Sequence, residues 1–155
     1  MSETYTLRVT KNQLQAISNA CETCARAAIG QFDKILDYCK DSNGKHINSY
    51  ELTRSIESLI KPLMGLHMNA SYGVGKFEEA DVLFDMYQTI RHRLAWDDAY
   101  ATGILNPGEK RKYIEMMTVN YDAPMQFSKE PLPIINETKP PINELLRNIL
   151  LENCL

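Results

Sequence analysis

Within Tyr87–Asp98, reading YQTIRHRLAWDD, the chain places its only tryptophan, one of its three histidines and two arginines. If this stretch is helical, side chains rotate by about 100° per residue. Arg91 then falls in the middle of an apolar stripe made by Ala80, Leu83, Phe84, Tyr87, Ile90 and Leu94, with Asp98 two turns further on. A guanidinium in such a stripe is costly unless it is paired or holds an anion. Two readings stand: a salt bridge to Asp98, Asp122 or Glu51, or bidentate binding of a phosphate. His92 and Trp96 lie together on nearly the opposite side of the helix. They form either a platform for stacking on a base or a surface packed against a neighbouring element or subunit.

A second stretch with chemical potential is Ala70–Phe77, ASYGVGKF, which looks like the tail of a phosphate loop. It lacks the first glycine, and Phe77 replaces the Ser or Thr that would bind magnesium, so it fails as a nucleotide-hydrolysing motif. A Gly-rich loop opening onto a helix can still hold an anion through backbone N–H groups, the alternative being a plain connector. Cys21 and Cys24 have the spacing of a redox pair, but they sit several turns into a predicted helix, away from the dipole that lowers a thiol pKa. Cys39 and His46 complete only a superficial zinc pattern, since a helix running through Cys39 would hold Cys24 and Cys39 about 22 Å apart. His46, His67 and His92 are too widely spaced for a metal motif, and the carboxylates form no acid/base pair. Lys110–Lys112 reads as a solvated turn. No catalytic residue, metal or cofactor is therefore assigned. The candidate ligand-binding set is Arg91, His92, Trp96, Tyr72, Gly73, Lys76 and Tyr121.

The elements that would position these residues follow from periodicity and punctuation. Tyr5–Val9 alternates as a short strand, and T-K-N-Q from Thr10 is a capping box opening a helix whose apolar spacing continues to about Lys40. Gly30 marks a kink or a close helix crossing within it. Asn48 and Glu51 resemble a second capping box, starting a helix through Leu52, Ile56, Leu59, Ile60 and Leu63 that Pro62 stops or bends. Met64–Lys76 is a long glycine-containing loop, and the next helix runs from about Phe77 to Ala99. Met117–Tyr121 alternates as a strand expected to pair with Tyr5–Val9, and Leu132–Ile135 reads as an edge strand. Pro140–Pro141 opens a C-terminal helix with Ile142, Leu145, Leu146, Ile149 and Leu150 on one face. The expected class is α+β, three to four amphipathic helices with a small antiparallel sheet. Residues 1–138 would form one domain, and 139–155 a helix that closes its own core or packs on a partner subunit.

Composition limits the function classes. At 155 residues, 44% hydrophobic and 24% charged, the chain has the balance of a globular domain able to bury a core. A net charge of −3 argues against a dedicated nucleic-acid binder. There is no signal-peptide pattern and no apolar run near the roughly 20 residues of a membrane span, so the expectation is a cytosolic, membrane-free protein.

IGQFDKIL (Ile29–Leu36), SYGVG (Ser71–Gly75), IRHRLAWD (Ile90–Asp97) and MMTVNYDAP (Met116–Pro124) together resemble, in order and spacing, a group of small, mostly uncharacterised tailed-bacteriophage proteins. The resemblance covers about Tyr5–Ile135 and leaves the C-terminal helix outside. It implies a phage origin and action in the host cytoplasm. Accessory phage proteins of this size commonly disarm host defence, some as oligomeric sponges that sequester cyclic-nucleotide or ADP-ribose-type immune signals without cleaving them. The resemblance thus leads to a non-enzymatic, homo-oligomeric binder of a small phosphate-containing ligand. Arg91 would hold the phosphate, Trp96 or Tyr72 would stack on the base, and Gly73–Lys76 would supply backbone donors. The alternatives are a protein–protein inhibitor or assembly module acting on a host protein, and a nucleotide-processing enzyme.

Overall fold

The computed structural model describes residues 3–47, 49–103 and 124–136. Helix α1 (Lys11–Ala28) begins as its sequence predicts. The Thr10 hydroxyl accepts from the Gln13 N–H at 3.2 Å, and the Gln13 side chain accepts from the Thr10 N–H at 2.9 Å. This reciprocal pair satisfies two of the donors that a helix start leaves open.

The far end of α1 comes earlier than the apolar spacing predicts. Gly30 adopts φ +86°, a left-handed conformation favoured by glycine. Its N–H bonds the Ala27 carbonyl at 3.0 Å, and the Gln31 N–H bonds the Arg26 carbonyl at 2.9 Å. The two bonds close the helix in a Schellman motif. A short 3-10 segment, Asp33–Tyr38, follows. Ile29, Phe32 and Leu36 are all buried, so the apolar spacing persists although two shorter pieces share it. The Cys24–Cys39 separation along one straight helix accordingly does not apply.

Helix α2 (Tyr50–Ile60) is capped by Ser49, whose hydroxyl accepts from the Leu52 N–H at 3.3 Å, one residue later than the predicted start at Asn48. It ends just before Lys61–Pro62, where proline cannot continue the ladder. Helix α3 (Glu78–Ala101) packs antiparallel on α1. Lys11 at the start of α1 pairs with Asp98 near the end of α3, and Ser18 reaches the Tyr87 carbonyl. Ala25 and Ile29 meet Ala80 and Phe84 at the other end. The two alanines remove side-chain bulk where the helices cross.

The expected α+β class is corrected by this arrangement: the described residues are helical and contain no strand. Tyr5 and Leu7, predicted to alternate on a half-buried strand, are 88% and 72% exposed. Alternation alone makes a strand only where a sheet face buries one side of it, and no such face meets them among the described residues. Leu132–Ile135 is likewise irregular, continuing a loop fixed to α3. Among the described residues the lone bridge, between Lys40 and His46, closes a turn. The predicted strand Met117–Tyr121, the basic run Lys110–Lys112 and the C-terminal helix of 139–155 lie outside the described residues. No described helix is long and apolar enough to cross a membrane.

Candidate functional site

The residues chosen from sequence fall into two groups. Arg91 lies with its guanidinium carbon 5.7 Å from the centroid of the Tyr87 ring one turn back, so a π face helps to receive its charge. Of the carboxylates weighed as partners, Asp98 is engaged by Lys11, and Asp122 lies outside the described residues. The Trp96 indole N–H donates to His92 Nε2 at 3.2 Å, and Trp96 also stacks obliquely on Tyr100 at 5.6 Å. These three rings, spaced by four, form a ladder along α3, with His92 and Trp96 half-buried and Tyr100 exposed.

The second group sits at the other end of α3. Tyr72 is built into the corner: its hydroxyl donates to the Met64 carbonyl at 2.6 Å, its N–H donates to Ile29, and its ring meets Phe77 edge-on. Lys76 lies over the same ring, and Gly73 is exposed. Fourteen residues of helix, about 21 Å at 1.5 Å each, separate Phe77 from Arg91. One small ligand does not span both groups. Tyr121 lies outside the described residues.

The glycine loop also has an anion of its own. The Gly75 N–H donates to the buried Asp81 carboxylate at 2.8 Å. With Glu78 and Glu79, Asp81 gives the first turn of α3 three carboxylates. They satisfy the helix dipole and oppose a bound phosphate there.

A cleft of about 630 Å³ lies instead between α2, the turn after α1 and the loop at Met68–Ser71. Helical spacing brings Tyr50, Thr53, Arg54, Glu57 and Lys61 to one face of α2, and all five line the cleft. Lys61 is only 4% exposed and donates to Glu57 at 2.8 Å and to the Met68 carbonyl at 2.8 Å. Arg54 bonds the same Glu57 at 3.1 Å, the Asn69 side chain at 3.2 Å and the Met68 carbonyl at 3.5 Å. Two cations thus share one carboxylate, leaving this wall of the cleft net positive. Each of these Arg54 bonds leaves from Nη1, so among the described residues Nε and Nη2 are donors beyond this network. Burial pushes the Glu57 carboxyl up, but hydrogen bonds and charge from Lys61 and Arg54 outweigh it and hold it below its ordinary value. The opposite wall carries Asp33 and Asp37, with Lys34 bound to Asp37 at 3.4 Å.

Sequence reasoning missed this site because it weighed α2 by its apolar face. The available signal was the polar stripe at three- and four-residue spacing, with Arg54–Glu57 and Glu57–Lys61 pairing along it. A second missed feature is Asp85, buried on α3. It accepts from the Phe127 N–H at 2.8 Å, the Ser128 N–H at 2.9 Å and the Ser128 hydroxyl at 2.6 Å. A separation of over forty residues left no local signal for that contact.

Cys21 and Cys24 are not poised as a redox pair. Cys21 is buried and Cys24 exposed on α1. Burial, with a smaller contribution from Cys24, pushes the Cys21 thiol up, away from the reactive thiolate. No group of three metal-binding side chains occurs among the described residues. No protein-family model, curated protein or solved structure matches the chain.

Proposed function

We propose that this protein is a non-catalytic binder of a small phosphate-containing ligand, seated in the cleft between α2 and the turn after α1. The observation that carries the reading is Arg54. Its Nη1 is fixed by Glu57, Met68 and Asn69, while the remaining guanidinium donors belong to a residue that is partly exposed on the cleft wall. A pre-positioned guanidinium of this kind suits a phosphate, which it binds through paired N–H groups. Tyr50, exposed at the rim, offers a ring for stacking. Asp33 and Asp37 opposite offer acceptors for the amino and imino groups of a nucleobase. A nucleotide-type ligand, anionic at one end and hydrogen-donating at the other, uses both walls. The volume lies in the range of small-molecule sites.

Sequestration of a cyclic-nucleotide or ADP-ribose-type immune signal by a phage-encoded protein is the biological form of this proposal, and the bacteriophage resemblance supports it. In this reading the phosphate contact is Arg54, where the sequence suggested Arg91, and the stacking ring is Tyr50, where it suggested Trp96 or Tyr72. Native mass spectrometry with cyclic dinucleotides, ADP-ribose and its cyclic isomers tests both binding and chemistry. The expected result is a stoichiometric complex from which the ligand is released with its mass unchanged. Absence of any complex overturns the reading, and a released product of altered mass overturns its non-catalytic part.

A further inference from the structure

Helix α2 is mounted the wrong way round for a helix completing its own core. Its polar stripe, Tyr50 to Lys61, faces the body of the protein and lines the cleft. At about 100° per residue, Leu52, Ile56, Leu59 and Ile60 share the opposite side. Leu59 is 72% exposed and Leu63, just past the helix end, 87%, while Leu52 and Ile60 are about one-third exposed and Ile56 is half-buried. No residue of α2 itself is buried. Thr53 borders the stripe on one side, and Ser58, Glu51 and Ser55 on the other, so the surface is aliphatic with one exposed carboxylate at its edge. Such a contiguous aliphatic face calls for a cover that is itself aliphatic.

The chain carries a second face of the same chemistry. Ile142, Leu145, Leu146, Ile149 and Leu150 recur at three- and four-residue spacing after Pro140–Pro141. The described chain is last anchored near the same end of the molecule. Lys129 N–H is held by Glu78 at 2.7 Å, and Phe127 and Ser128 are held by Asp85, pinning this loop over the first turns of α3. That end of the α1–α3 pair also carries the Gly30–Leu66 corner from which α2 projects. Thirteen residues lead from Lys129 to Ile142, a reach of up to about 45 Å. We propose that the outward face of α2 is the docking surface for the C-terminal segment Ile142–Leu150 of the same chain. Docking places the last segment of the chain on the back of the helix that forms the ligand cleft. The inference is independent of the ligand assignment.

The test is limited trypsin cleavage after Arg147 in the full chain, read by mass spectrometry beside particle mass by sedimentation equilibrium. Leu59→Asp and Leu146→Asp each remove one aliphatic contact. Each is expected to speed cleavage about tenfold or more, the double variant adding little, at unchanged mass and helix content. The pair Leu59→Lys with Leu146→Glu is expected to restore protection at Arg147. Unchanged cleavage in Leu59→Asp overturns the proposal. So does a fall in particle mass in that variant, which assigns the face to a second copy of the chain.

Discussion

At the residue scale, buried charges in this protein fasten irregular chain to helices. Asp85 receives two backbone N–H groups and a hydroxyl from Phe127 and Ser128. Asp85→Ala strands these donors, at about 1–3 kcal/mol for each one left unsatisfied. A net loss of about 3 kcal/mol is expected by urea denaturation, and a change below about 0.5 kcal/mol contradicts the assigned clamp. Glu57 gives a pH-dependent counterpart. Its folded pKa is lowered, so its contribution is present above the unfolded value, about 4.3, and is lost as pH falls through the folded value. At neutral pH Glu57→Gln also leaves the buried Lys61 without its anion, at about 3–5 kcal/mol. The stability difference between wild type and Glu57→Gln is therefore large at pH 7 and narrows below about pH 4. A difference independent of pH contradicts the pairing.

At the element scale, turn geometry sets where the helices end. Gly30→Ala imposes a left-handed φ on an alanine and brings its Cβ to 2.6 Å from Leu66 Cδ1. The backbone strain alone costs about 1–2 kcal/mol, and moving Leu66 adds to it. The variant is expected to melt several degrees lower, whereas an unchanged melting temperature contradicts the close corner. The same position shows what was legible in the sequence. The Thr10–Gln13 box, the stop at Pro62 and the span of α3 follow from local rules that tertiary contacts do not override. Gly30 was recognisable as a special position, but apolar spacing through Cys39 concealed that it ends α1, since both pieces keep their apolar residues on one core. Tyr5–Val9 has strand composition but meets no sheet face among the described residues, a nonlocal condition that alternation does not encode.

At the scale of the whole molecule, an antiparallel α1–α3 pair forms the frame, and the polar stripe of α2 is tied to the Met68–Asn69 loop beyond it. This inversion explains why the α2 cleft is not legible in the hydrophobic pattern. Arg91 drew attention as a cation on an apolar stripe, yet its charge meets Tyr87 within its own helix. Arg54 sits on a helix whose hydrophobic pattern looked ordinary, and its meaning appears only when its polar stripe is seen to face inward. Calorimetry with cyclic dinucleotides, ADP-ribose and its cyclic isomers, on wild type, Arg54→Met and Arg91→Met, tests the central claim most directly. The expected result is micromolar or tighter binding of one of these ligands, weakened about ten- to hundredfold by Arg54→Met and little changed by Arg91→Met. Binding that survives Arg54→Met and is lost in Arg91→Met, or no binding by the wild-type protein, contradicts it.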